Sequence, residues 1–342
     1  MKEKKRAFIT GITGQDGSYL AEYLIKKGYD VWGLMRRTSL DPLMRIHTMA
    51  DDRSLKLRYG NLRDTSSLQR ALEEAKPDEV YNLAALSDVG ISFKCPEETM
   101  EVNYYGVSRL ILEAVKVNKK VRIYQASTSE MFGTTKPPQN ERSIFAPVSP
   151  YAEAKLMAYR DFVKGYREQY GYFIASGILF NHESPRRGEH FVTRKITVSL
   201  AKIKLGLQKS FSLGNLDARR DWGYASNYVT AMHAMLQQKK PDDFVVATGI
   251  SHSVRDFVEE ACKELDIPLT WKGKSLKEVG VTKGNKTIVT IDKEFYRPAE
   301  VRALCGDATK ARTELGWKPK VTFEELVRMM TRADLEHYKK SL

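Results

Sequence analysis

Apolar residues in the first half of the chain fall in short bursts separated by amphipathic stretches. Arg6-Ala7-Phe8-Ile9-Thr10 reads as a brief buried strand, and residues 18–27 carry the period of a helix closed by Gly28. Residues 29–35, 55–59, 80–83, 121–125 and 174–180 continue the strand series. Helices are expected at about 66–75, capped by Asp64 or Thr65, and at 97–116 and 151–170. This alternation predicts an α/β fold with a Rossmann-type, doubly wound parallel sheet, because parallel neighbours need a helical crossover. After Asn181 the rhythm breaks. Pro, Gly and Arg cluster at 184–188 and 214–223, and helices at 192–205, 254–265 and 323–337 are separated by short apolar pieces. The pattern predicts a smaller C-terminal α/β lobe, residues 182–222 and 249–342, laid over strand ends contributed by residues 1–181 and 223–248. Open α/β sheets hold their ligands at those ends.

Composition narrows the classes. Among 342 residues, 42% hydrophobic and 29% charged is an ordinary globular balance, with ample material for a core. The sequence has no apolar run long enough to cross a membrane, and Met1-Lys2-Glu3-Lys4-Lys5-Arg6 lacks a signal peptide's apolar stretch, so a cytoplasmic enzyme is expected. Cys95, Cys262 and Cys305 lie far apart, and the six histidines form no His-x-x-x-His pair. Neither a disulfide frame nor a metal site is expected. The formal charge of +13 is spread along the chain and interleaved with acids. That argues against nucleic acid and for a basic cleft that takes small anionic ligands.

Gly11-Ile12-Thr13-Gly14-Gln15-Asp16-Gly17 follows the first strand and opens the first helix. Glycine suits a tight turn that approaches a pyrophosphate, and the free N–H groups of the helix start attract that anion. The second strand ends in Arg36-Arg37, where an acidic residue would hold a ribose 2′-hydroxyl. Arginines suit a 2′-phosphate instead, so NADP is expected rather than NAD. Tyr151-Ala152-Glu153-Ala154-Lys155 puts a phenol and an ammonium four apart on one helix face. The ammonium is expected to lower the phenol's pKa from about 10 and make it a usable base. Ala126-Ser127-Thr128-Ser129-Glu130-Met131-Phe132-Gly133 ends the fifth strand with hydroxyls for a sugar and one carboxylate. Together these groups fit hydride removal from a carbinol.

These runs resemble the extended short-chain dehydrogenase/reductase family. Thr128-Ser129-Glu130, Asn181-His182-Glu183-Ser184-Pro185-Arg186-Arg187-Gly188, Val192-Thr193-Arg194-Lys195-Ile196-Thr197, Arg220-Asp221-Trp222-Gly223 and Arg297-Pro298-Ala299-Glu300-Val301 resemble its GDP-mannose 4,6-dehydratase branch, over about residues 6–319. The resemblance implies redox-neutral loss of water from a GDP sugar. Tyr151, aided by Thr128 and Lys155, would accept the C4 hydroxyl proton as NADP takes hydride, Glu130 would remove the C5 proton as water leaves C6, and hydride would return to C6. It implies a cofactor lined by Gly11, Ile12, Thr13, Gly14, Gln15, Asp16, Gly17, Arg36, Asn61, Leu62, Leu83, Ala84, Ala85, Ser87, Tyr151, Lys155, His182 and Arg187. The sugar nucleotide would fall to Ser87, Thr128, Ser129, Glu130, Asn181, Lys195, Arg220, Arg297 and Glu300, the arginines on phosphate and Glu300 on guanine. A homodimer or homotetramer built on helices 97–116 and 151–170 is implied as well. Two departures stand out. Thr38-Ser39-Leu40-Asp41-Pro42 replaces the family's serine and asparagine loop, and Arg302 stands where an acidic residue is common. Both fit a related sugar such as GDP-manno-heptose. The remaining readings are an epimerase or reductase of the same fold, which has no use for Glu130, and a non-catalytic NADP-binding regulator.

Overall fold

The computed structural model of the chain describes residues 4–296, 301, 303–340 and 342. Its strands in chain order are β1 (Arg6–Thr10), β2 (Asp30–Met35), β3 (Leu55–Tyr59), β4 (Glu79–Asn82), β5 (Arg122–Thr128), β6 (Ile174–Leu179), β7 (Asn181–Glu183), β8 (Phe211–Leu213), β9 (Arg219–Tyr224), β10 (Asp243–Val246), β11 (Ser251–Ser253), β12 (Leu269–Lys272), β13 (Val279–Thr282) and β14 (Thr287–Ile291). Seven of them form one parallel sheet in the order β3-β2-β1-β4-β5-β6-β10. The chain winds outward both ways from β1, so the crevice opens at the carboxyl ends of β1 and β4. Every residue of β4 and β6 is buried, which is what a parallel sheet covered on both faces requires.

Each face has its own apolar layer. On one side Leu20, Ala21 and Leu24 of helix Gln15–Lys26 meet Met232 and Met235 of helix Ala225–Leu236, over Ile9 and Ile178. On the other, Leu68 and Leu72 of helix Thr65–Ala75 meet Leu110 and Ala114 of helix Gly106–Val117, over Phe8, Val80 and Ile123. A third core of Ile196, Leu200, Trp222, Phe257 and Met330 binds helices Val192–Lys204, Val254–Glu264 and Phe323–Lys339 to two small sheets. Those sheets run β11-β9-β7 and β12-β13-β14-β8. β7 follows directly on β6, so the first small sheet grows straight out of the large one.

The parallel α/β sheet expected from the pattern is present, with adjustments that matter for the site. Helix Gln15–Lys26 starts three residues earlier than the expected 18, at an N-cap on Gly14, and Gly28 takes φ 85° behind it. Asp64 caps its helix by accepting from the Ser67 amide. β5 runs on to Thr128, so Ser127 and Thr128 stand on the strand itself. The two long expected helices are helical throughout but each widens into a π stretch, at Glu101–Tyr105 and at Tyr159–Lys164. Helices Val89–Lys94, Ala225–Leu236 and Thr309–Leu315 and the seventh sheet strand β10 were outside the expected pattern. At β10 the Val245 amide donates to Glu141 Oε1 (2.7 Å), from the loop after β5. Among the described residues no helix is long and apolar enough to cross a membrane.

Candidate active site

The glycine loop is shaped by contacts that leave no room for side chains. Gly11 takes φ 70°, and a Cβ there would sit 2.8 Å from the Ala84 nitrogen at the end of β4. A Cβ on Gly17 would sit 2.3 Å from the Gly11 carbonyl oxygen, so that glycine lets the helix close onto its own loop. Gly14 caps helix Gln15–Lys26 with no side-chain acceptor, which leaves the first-turn amides to an external anion. A dinucleotide therefore fits the loop. Beneath it, the Thr10 hydroxyl donates to Asn82 Oδ1 (2.6 Å) and accepts from the Leu83 and Ala84 amides (3.2 Å each). Asn82 donates in turn to Gln125 Oε1 (2.7 Å), so a buried polar chain ties the ends of β1, β4 and β5 together.

Beside the loop, helix Pro150–Ala158 brings Tyr151 and Lys155 against the end of β5. The Ser149 hydroxyl accepts from the Ala152 amide and starts that helix. Burial pushes the Tyr151 phenol up to about 12. A hydrogen bond with the Thr128 hydroxyl pulls it down, the Glu130 carboxylate pushes it up, and Arg187 lowers it. The phenol thus stands above its ordinary value, where the Tyr-x-x-x-Lys spacing predicted a lowered one. The Lys155 ammonium donates to the Ala126 carbonyl (2.9 Å), and burial alone brings it down to about 8. Thr128 Oγ1 accepts from the Glu130 amide (3.2 Å) and caps the short turn Ser129–Phe132, which holds the carboxylate where its charge acts on the phenol.

The Asn181–Gly188 run is a hub. His182 places Nδ1 2.7 Å from the Phe180 carbonyl and Nε2 2.7 Å from Asp16 Oδ2, and its ring stacks on Tyr228. An acceptor thus faces each ring nitrogen. The nearby Asp16 charge and hydrogen bond overcome the larger opposing effect of burial and raise its pKa. Ser184 donates to Gln15 Oε1 (2.8 Å), and Gln15 donates to the His182 carbonyl (3.0 Å). Glu183 accepts from the Thr193 hydroxyl and pairs with Arg187, whose guanidinium lies 3.6 Å from the Phe191 ring centroid. Arg186 turns the other way, to Glu22 and the Tyr19 ring. The buried Asn181 Oδ1 has no hydrogen-bond partner among the described residues, an acceptor left for a ligand.

All of this surrounds one cleft of about 870 Å³. Of the expected site residues, Asp16, Leu83, Ala85, Ser87, Thr128, Ser129, Glu130, Tyr151, Lys155, Asn181, His182, Arg187, Lys195 and Arg220 line it. The rest of the glycine loop and Ala84 stand behind Asp16. Arg36 is exposed at the end of β2, Asn61 is engaged in a turn with Arg63 and Ser67, and Leu62 packs into the core, so these three lie off the cleft wall. Arg297, Glu300 and Arg302 lie outside the described residues. Arg220 donates to the Val301 carbonyl (2.8 Å), and the Lys195 ammonium lies 3.3 Å from the Phe295 ring centroid. The wall also includes residues that sequence reasoning missed: Asp88, His190 and Phe191 on one rim, Asn215, Phe295 and Tyr296 on another. Arg45, behind the wall, reaches from the loop after β2 to the Arg186 carbonyl (2.7 Å). None stands in a recognisable motif; only the folded chain collects them.

A family model described as GDP-mannose 4,6 dehydratase matches residues 8–330. The chain is 53% identical to the GDP-mannose 4,6 dehydratase of Drosophila melanogaster over 348 residues, covering 98% of this chain and 88% of that one. It is 51% identical to the Homo sapiens GDP-mannose 4,6 dehydratase over 346 residues, covering 98% and 92%. Among solved structures, a dTDP-glucose 4,6-dehydratase from Streptomyces venezuelae with NAD and TYD bound superposes with a TM-score of 0.83 at 20% identity, covering 98% of each chain.

Proposed function

The chain belongs to the GDP-mannose 4,6-dehydratase family, and on that premise we propose that it removes water from GDP-mannose to give GDP-4-keto-6-deoxymannose, with NADP as resident cofactor. The observation that carries the reading is Glu130 beside Thr128 and Tyr151 on one cleft wall, a carboxylate that an epimerase or reductase would not need. Residues 1–181 and 223–248 hold the cofactor, through the loop from Gly11 to Gly17, Arg36, Asn61-Leu62 and Leu83 to Ser87, and His182 and Arg187 reach it from the start of the second lobe. Residues 182–222 and 249–342 hold the nucleotide, through Lys195, Arg220, Arg297 and Glu300. When bound, NADP⁺ accepts hydride from sugar C4 and returns it at C6.

The chain's own residues move the protons. Tyr151, in its phenolate form, takes the C4 hydroxyl proton while Thr128 holds the oxygen, and the positive charge of Lys155 nearby favours that form. Glu130 removes the C5 proton, made acidic by the new ketone, and passes it to the departing C6 hydroxyl. The proton that Tyr151 took from the C4 hydroxyl is then given up to C5 as C6 is reduced, so no net redox change remains. The exposed Arg36 supports a 2′-phosphate, hence NADP over NAD. The placement is cytoplasmic, in keeping with three sparse, free thiols. A homodimer or homotetramer uses the paired helical runs in which Tyr104 packs on Phe162 and Tyr105, Leu112 and Tyr170 stay exposed.

Mass spectrometry of the purified chain with GDP-mannose and no added reductant tests the reading. Loss of one water from the sugar nucleotide without net NADPH supports it. Unchanged GDP-mannose overturns that substrate, and a product isomeric with the substrate overturns the dehydratase in favour of an epimerase.

A further inference from the structure

The turn that carries Arg187 into the cleft is held from behind by a partly buried arginine. Arg194 stands on helix Val192–Lys204, one residue before the cleft-lining Lys195. Its Nη1 donates to the Pro185 carbonyl (2.6 Å) and to the Arg187 carbonyl (2.9 Å). Its Nε donates to both carboxylate oxygens of Asp334 (2.8 Å each), and Nη2 lies 2.6 Å from Oδ1. Asp334, on helix Phe323–Lys339, is only 1% exposed and also accepts from the Thr197 hydroxyl (2.6 Å). Asp334 does not line the cleft.

The two carbonyls that Arg194 holds flank Arg186. That residue's side chain goes to Glu22 and Ser18 on helix Gln15–Lys26, and its carbonyl takes Arg45. Three arginines thus surround one short turn, and Arg194 is the one that grips the backbone on both sides of it. With the turn fixed there, Arg187 has one direction left, over Phe191 and beside Glu183.

We infer that Arg194, with Asp334 as its counter-charge, is a positioning residue that sets cofactor affinity through Arg187. This rests on the assignment of Arg187 to the cofactor. The guanidinium fork serves the carboxylate and two carbonyls at once. A lysine keeps the charge against Asp334 but has one nitrogen, so it loses the backbone grip while sparing the buried carboxylate.

The test is a double-mutant cycle on the full chain. The NADP dissociation constant is measured by calorimetry for the unaltered protein, Arg187→Ala, Arg194→Lys and the double variant, with thermal midpoints alongside. Arg194→Lys is expected to weaken NADP about tenfold, and the double variant to bind within about twofold of Arg187→Ala alone, because both changes act through one contact. At saturating cofactor its kcat should stay within a fewfold of the unaltered chain. If Arg194→Lys lowers only the thermal midpoint, or if the two losses multiply in full, the inference is overturned and Arg187 keeps its role. If Arg187→Ala alone binds NADP normally, the assignment of Arg187 falls and takes the inference with it. Should Arg194→Lys fail to fold, Asp334→Asn goes through the same cycle with the same expected non-additivity.

Discussion

At the scale of single residues, the proposed division of labour between Tyr151 and Glu130 makes their variants fail differently. Tyr151→Phe should stop oxidation at C4, so neither product nor reduced nicotinamide forms. Glu130→Gln should still oxidise the sugar and then stall, with reduced nicotinamide accumulating in a single turnover. Each variant should lower kcat by about 10²–10⁴-fold, the usual worth of one proton-transfer group. The motifs announced these side chains because fixed spacings on a helix start and a strand end put them on one wall. Their ionisation was not legible. Burial of Tyr151 and the anchoring of Lys155 on the Ala126 carbonyl depend on elements far away in sequence. His233 shows the same dependence. It meets Tyr23 and Tyr29 edge-on, and burial lowers its pKa from 6.5 to about 4. In the fold it stays neutral while the unfolded chain takes up a proton across that window, so stability should fall as pH drops from 6.5 towards 4. His233→Gln should flatten this part of the thermal midpoint against pH.

Elements explain why some expectations worked and others did not. Helices Thr65–Ala75 and Val254–Glu264 are amphipathic and carry side-chain caps at Asp64 and Ser253, so both period and boundary show. Helix Ala225–Leu236 buries Tyr228, Val229, Met232 and Met235 against the sheet, helix Gln15–Lys26 and Trp317, and its opposite face, Ser226, Asn227, Thr230 and His233, is half-buried and carries no Asp, Glu, Lys or Arg to mark the period. β10 is four residues long and gives no alternation. The glycine loop was legible for the opposite reason: its steric demands are met by residue type alone. Gly17→Ala should cost about 1–3 kcal/mol of stability in chemical denaturation, since its Cβ meets backbone that cannot yield. NADP affinity should fall with it, because the loop can reopen only by moving the helix start.

For the whole molecule, alternation of strand and helix was enough to indicate a parallel sheet and a ligand at its carboxyl ends. The way the chain crosses over the cleft was not, because β7, β9 and β11 are three to six residues long and pair across long separations in sequence. Assembly belongs to this scale too. Tyr105→Glu with Leu112→Glu puts charge on the exposed face of the proposed helical interface, and sedimentation should then show monomer, against the dimer or tetramer expected of the unaltered chain. The sheet itself offers little for growth. Its outer strand β10 has the Val245 amide already taken by Glu141, and the opposite strand β3 carries Lys56 and Arg58, both folded onto Trp32. A strand from another molecule that tried to extend the ladder would meet a filled donor at one border and two cations at the other. During synthesis and at high concentration, crowded copies are thereby turned away from open-ended ribbons.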